Sequence, residues 1–152
     1  MIPEYAKGMQ PDDMPDTLAK ELAEVFGVEM TLKLLEAQGG VAVYFPKVSC
    51  LPEGCQRKKI EGVRIGDLPT NIMRELAEQF GIEQAVAFDK FFDGATIYIP
   101  KLSSTLSVYR NKKIVEEYFQ GENTRTLCRK YGVTQSYIMR LVAASEKRRI
   151  TQ

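Results

Sequence analysis

Between residues 123 and 149 the chain gathers side chains that hydrogen-bond or carry positive charge: Asn123, Arg125, Arg129, Lys130, Gln135, Ser136, Tyr137, Arg140, Lys147, Arg148 and Arg149. None of them is suited to covalent catalysis. The 152 residues contain no histidine, which removes the commonest general base and many metal sites. No glycine-rich phosphate loop follows a strand signal, and the carboxylates Glu21, Glu24, Glu75 and Glu78 fall on helix surfaces as solubilising charge. Neither an enzyme nor a metal or cofactor protein is expected. What remains is non-covalent chemistry: amide and guanidinium forks that match planar donor–acceptor edges, and cations that neutralise phosphate.

The spacing of the apolar residues around these groups says how they would be held. Ile114, Val115, Tyr118 and Phe119 share one side of a helix expected over 110–119, stopped by Gly121. Asn123 is a good N-cap for a second helix, Thr124–Tyr131, because its side-chain oxygen can accept from the free amides of the first turn. Gly132 supplies a positive-φ turn, and Thr134 caps a third helix running to about Ala144. Leu127, Cys128, Tyr131, Val133, Ile138 and Leu141 then have the apolar spacing of a helix-turn-helix. In that arrangement the last helix lies in the DNA major groove with its N-terminal part at the base edges. Gln135, Ser136, Tyr137, Met139 and Arg140 are the candidate base contacts, Gln135 suiting adenine and Arg140 guanine or a phosphate. Lys112, Lys113, Arg125, Arg129, Lys130, Lys147, Arg148 and Arg149 are the candidate phosphate contacts, which set affinity but carry no sequence information. The competing interpretation is an ordinary helical hairpin whose charges are solvated, or whose helices bind a protein partner.

The rest of the chain must position this head, and it does so with a repeat. Sliding residues 14–47 by 54 positions lays them on 68–101 without a gap, and 12 of the 34 pairs are identical, including Gly27/Gly81, Tyr44/Tyr98 and Pro46/Pro100. About two matches would arise by chance from average composition, so the segment is an internal duplication. Each copy reads helix, tight connection, helix, strand. Helices are expected over 17–26 and 28–38, and again over 72–80 and 82–92. Gly27 and Gly81 suit left-handed caps. The strands are 41–45 and 95–99, each closed by proline. Val41, Val43, Tyr44 and Phe45 can pair with Ile97, Tyr98 and Ile99, because a lone five-residue strand leaves its backbone groups unpartnered. The expected fold is therefore mainly α with a small antiparallel β element. Its parts are an arm (1–13), a first repeat (14–47), a linker (48–67), a second repeat (68–101) and a helix-turn-helix domain (102–152).

Charge divides along the same line. Residues 1–101 hold 11 Lys and Arg against 16 Asp and Glu, whereas 102–152 hold 10 against 4. Such asymmetry points to a polyanion for the C-terminal part. The basic run Arg57–Lys58–Lys59 lies in the linker, where a solvated stretch is the simpler reading. Cys50 and Cys55 have four residues between them and no second pair or histidine to complete a zinc site, and Cys128 falls on an apolar helical face. No apolar run approaches the ~20 residues that span a bilayer, and no secretory signal opens the chain. A cytoplasmic protein with no membrane partner is expected.

Residues 97–101, Ile-Tyr-Ile-Pro-Lys, a short linker and the run YFQGENTRTLCRKYGVT at 118–134 resemble the Mor/C family of transcription activators of Mu-like phages and prophages. The resemblance covers roughly residues 68–142. It implies an N-terminal helix–helix–strand unit that forms a homodimer partly by strand pairing, a helix-turn-helix that binds double-stranded DNA, and recruitment of RNA polymerase. This chain departs from that pattern in carrying the module twice with one head. If the copies pair internally, one chain presents a single head. If they pair between chains, a dimer carries four modules and two heads.

Overall fold

The computed structural model describes residues 2–151, with side chains through Arg148. The fold is mostly helical, with one small two-stranded antiparallel sheet. Two compact units are present: Met1–Gly39 with Pro100–Gln152, and Gly40–Ile99.

In the first unit, α1 (Thr17–Phe26) begins at Asp16, whose carboxylate accepts from the Leu18 amide at 2.8 Å. It buries Ala19, Leu22 and Ala23 and packs on α2 (Val28–Gln38). In the second unit, α3 (Asn71–Phe80) begins at Thr70, whose hydroxyl accepts from Met73 N–H at 3.2 Å. Its buried residues are Met73, Leu76 and Ala77, and it packs on α4 (Ile82–Phe92). Every one of these boundaries and buried positions moves by the same 54 residues between the two helix pairs. The correspondence also runs further back than the 34 aligned positions. Asp13 and Asp67 make the same turn, each carboxylate accepting from the backbone N–H three residues before it, that of Gln10 and of Arg64, at 2.9 Å.

A single glycine links the helices in each pair. Gly27 has φ 91 and ψ 154, and Gly81 has φ 94 and ψ 156. This is positive-φ extended backbone rather than the left-handed helical cap that the sequence suggested, a region essentially reserved for glycine. A helical cap would continue the curl of the chain. The extended one lets the next helix start at the following residue in a new direction.

The sheet belongs to the second unit. Strands β1 (Ala42–Tyr44) and β2 (Thr96–Tyr98) pair antiparallel, with Val43 opposite Ile97. They are shorter than the expected 41–45 and 95–99, but the hydrogen bonding continues beyond them. Phe45 N–H donates to Ala95 O and Ile99 N–H to Val41 O, both at 3.0 Å. Val43, Phe45 and Ile99 are buried and Ile97 is half-buried, whereas Val41, Tyr44 and Tyr98 face solvent. The Phe45 ring stacks on Phe92 at 4.5 Å.

Two connections are more ordered than their composition implies. Residues 48–67 wind through short 3-10 turns at Val48–Cys50, Glu53–Gln56 and Ile65–Asp67, with Leu51 and Cys55 buried. Burial pushes the Cys55 thiol up from its ordinary pKa, which makes it inert. The linker expected after Lys101 is helical: α5 runs Leu102–Phe119. The Ser-Ser-Thr run at 103–105 carries a loop signal, but it contains neither glycine nor proline. Burial of Thr105, Leu106 and Tyr109 on one face outweighs it. The helices α6 (Thr124–Tyr131) and α7 (Gln135–Thr151) complete the chain, α7 extending past the expected end at Ala144.

One polar group is out of place. Asp89 of α4, where α2 has Leu35, is fully buried, and neither carboxylate oxygen has a hydrogen-bond partner among the described residues. Burial, reinforced by the Asp93 charge, pushes its pKa up to about 6. Because the folded value lies above the unfolded value of about 3.9, its contribution to stability is complete below that value and is lost as pH rises through 6. Urea unfolding from pH 4 to 7 should show the unaltered chain losing about 2 kcal/mol relative to Asp89→Asn. Parallel profiles would mean that the carboxyl group is solvated.

Candidate nucleic-acid interface

Helices α5, α6 and α7 close on one apolar cluster formed by Ile114, Leu127, Tyr131, Ile138 and Val142, with Tyr118, Cys128, Val133 and Leu141 packed around it. Leu127, Ile138 and Ile114 are fully buried, each worth roughly 1.5–3 kcal/mol relative to exposure. The turn between α6 and α7 is built as the sequence anticipates. Asn123 Oδ1 accepts from Arg125 N–H at 2.8 Å. Gly132 takes φ 68 and ψ 37, a left-handed conformation that a side chain would penalise. It lets the amides of Gly132 and Val133 both reach Cys128 O, at 2.9 and 3.2 Å, which satisfies a carbonyl left free by the end of α6. Thr134 Oγ1 accepts from Tyr137 N–H at 3.2 Å and starts α7.

The inner face of α7 carries Ile138 and Val142, and its outer face is polar. Ser136, Met139, Arg140, Ala143 and Lys147 are exposed at helical spacing, and Gln135 is exposed at the first residue of the helix. Four of the five candidate base contacts, Gln135, Ser136, Met139 and Arg140, are therefore accessible.

Tyr137 lies elsewhere, against α5. Its hydroxyl donates to Asn111 Oδ1 at 3.0 Å and accepts from Arg110 Nη2 at 3.1 Å. Arg110 also donates to Asn111 Oδ1 and lies over the tyrosine ring at 5.4 Å. This three-residue bracket escaped the sequence reading. Tyr137 lies 26 and 27 positions from its two partners, and no local periodicity links an Arg-Asn pair on one helix to a tyrosine two helices later.

The candidate phosphate contacts fall into two groups. Arg125 and Arg129 of α6 project into solvent, as do Lys147 and Arg148 at the end of α7. The side chain of Arg149 lies outside the described residues. Lys112, Lys113 and Lys130 face carboxylates. Lys112 lies 3.8 Å from Asp13, and Lys113 lies 3.4 Å from Glu116. Lys130 pairs with Glu117, which also accepts from the Tyr131 hydroxyl. Burial alone would push Glu117 up, but hydrogen bonds from Lys130 and Tyr131 prevail and hold its pKa below the usual carboxylate range. The same contact, added to burial, raises the Tyr131 phenol.

A further support comes from the other end of the chain. Tyr5, in the 3-10 turn Glu4–Gly8, stacks on Tyr109 at 6.5 Å and meets Tyr131 at 5.4 Å. Ala6 and Met9 beside it are buried. The arm expected at 1–13 thus packs into the same unit as α5, α6 and α7.

Among the described residues no group of three or more His, Cys, Asp or Glu could hold a metal ion. No described helix is long and apolar enough to cross a membrane. Comparison with known families matches residues 65–152 to the Mor transcription activator family. No curated protein and no solved structure matches the chain.

If the bracket on Tyr137 sets the orientation of α7, Tyr137→Phe should cost about 1 kcal/mol of stability while leaving the apolar cluster intact. Denaturant unfolding checks this, and an unchanged midpoint would mean that the hydroxyl contributes nothing net.

Proposed function

The chain belongs to the Mor transcription activator family, and on that basis we propose that it is a sequence-specific DNA-binding activator of phage or prophage type. In this reading α6 and α7 form a helix-turn-helix, and α7 enters the major groove of double-stranded DNA. The observation that carries the proposal is the outer face of α7. Gln135, Ser136, Met139 and Arg140 are exposed together on a helix whose opposite face is locked into a core, with no carboxylate among them. Gln135 and Arg140 have the fork geometry that pairs with adenine and guanine edges, and Met139 supplies apolar contact.

Arg125 and Arg129 would hold the phosphates directly, and the exposed Lys147 and Arg148 would add positive charge from the end of α7. Lys112, Lys113 and Lys130 would first exchange a carboxylate partner for a phosphate, so each contributes less. Tyr137 reaches the groove only with its ring, because Asn111 and Arg110 hold its hydroxyl. RNA polymerase is the expected protein partner, following from the activator role of the family.

Binding to a preferred duplex should weaken by about 1–3 kcal/mol in Gln135→Ala and in Arg140→Ala, with base preference relaxed at one position in each. Arg129→Ala should weaken binding to all sequences alike and reduce the log-log salt slope by about 1. Fluorescence anisotropy across a salt series distinguishes these effects. Binding that is indifferent to salt would favour a protein-binding role for the C-terminal helices.

A further inference from the structure

We infer that one chain is a self-paired assembly with a single head, and that it reads one undivided half-site as a monomer rather than a two-fold-symmetric site as a dimer. The inference rests on the DNA-binding function proposed above.

The register of the sheet carries it. Val43 and Ile97 oppose each other, and they are the same position in the two copies, 54 residues apart. Ala42 opposite Tyr98 and Tyr44 opposite Thr96 are then exchanged by a local two-fold axis through that pair. The flanking hydrogen bonds obey the same axis. Phe45 N–H to Ala95 O and Ile99 N–H to Val41 O are equivalent bonds of equal length. This is the geometry of an interface between two identical partners, with residue i on j and j on i, formed here within one chain.

Only one copy continues into a head. After Lys101 the chain enters α5 and then α6 and α7. After Lys47, at the equivalent position, it turns through Val48–Cys50, where Val48 N–H donates to Asp93 Oδ1 at 2.9 Å. It then returns to the second copy. A self-paired chain therefore presents one reading helix.

Exchange of strands between chains would make the same hydrogen bonds, so the tether decides. Covalent linkage of the two strands gives an effective concentration on the order of 1 mM even through a flexible connection, which at micromolar protein favours pairing within the chain by roughly 100-fold or more. The connection here is not an open hinge. Leu51 and Cys55 are buried within it, and Gln56 Nε2 donates to Leu51 O at 3.0 Å.

The test needs a trap for the pairing and a readout of the site. Phe45 and Ala95 share a ladder hydrogen bond, so the alternation of an antiparallel pair makes Ala42 and Tyr98 a non-hydrogen-bonded pair with close Cβ atoms. Both residues are exposed, and substitution there leaves the core alone. Ala42→Cys with Tyr98→Cys, in a Cys50→Ser background, should oxidise to a bridge within one chain. The unaltered protein should sediment as a monomer at every soluble concentration. Selection from random duplex DNA should enrich one short site with no mirrored partner. A bridge between chains, or a selected inverted repeat with halves about one helical turn apart, overturns the inference. An internal bridge together with an empty selection would overturn the DNA-binding function on which the inference rests, with the pairing itself left intact.

Discussion

A three-residue strand has no stability of its own, because its amides and carbonyls must find partners once they leave water. β1 and β2 satisfy that demand only through each other. The consequence reaches well beyond six residues. The pairing brings together positions 54 apart and places Phe45 on Phe92. Between the strands, residues 48–67 return through short 3-10 turns with Leu51 and Cys55 buried. Pro46 and Pro100 limit the ladder, since neither can donate to it.

The two helix pairs share their geometry while many of their side chains differ. Glycine with positive φ and extended ψ recurs between the helices, as do the aspartate-closed turns that precede them. The side chains filling the second helix of each pair have changed. Phe88 stands where α2 has Leu34, and the unpartnered Asp89 stands where it has Leu35. Backbone conformation constrains residue type tightly at the links and caps. Interior positions tolerate exchange within the available volume, and here they accept even a carboxyl group that must be protonated to be at ease.

The outer face of α7 depends on contacts made behind it. The apolar cluster fixes the depth of the helix, whereas the Arg110–Asn111–Tyr137 bracket constrains its rotation against α5. Glu117 does comparable work beside it by holding Tyr131 and Lys130 from α5. Tyr5 stacks on Tyr109 and Tyr131 from the N-terminal turn. If α7 reads base edges as proposed, this support matters, because a small rotation of the helix would carry Gln135 and Arg140 away from them.

By itself, the sequence determined the features that arise within a few residues. These are the spans of α1, α2 and α4, the position of the glycine between the helices of each pair though not its extended conformation, the proline stops, the Asn123 cap and the left-handed turn at Gly132. Each follows from backbone sterics, a cap or a helical period that neighbouring residues specify among themselves. The mutual pairing of the strands was also foreseeable, because the repeat supplied the partner. Tertiary structure alone decided that residues 102–109 are helical, that Tyr137 turns towards α5, that Lys130 is held by Glu117 and that the N-terminal turn packs beside Tyr131. In each case the deciding partner lies 13 or more positions away or is the buried face of a helix. A loop signal or a surface charge is a local tendency, and burial against a distant side chain outweighs it.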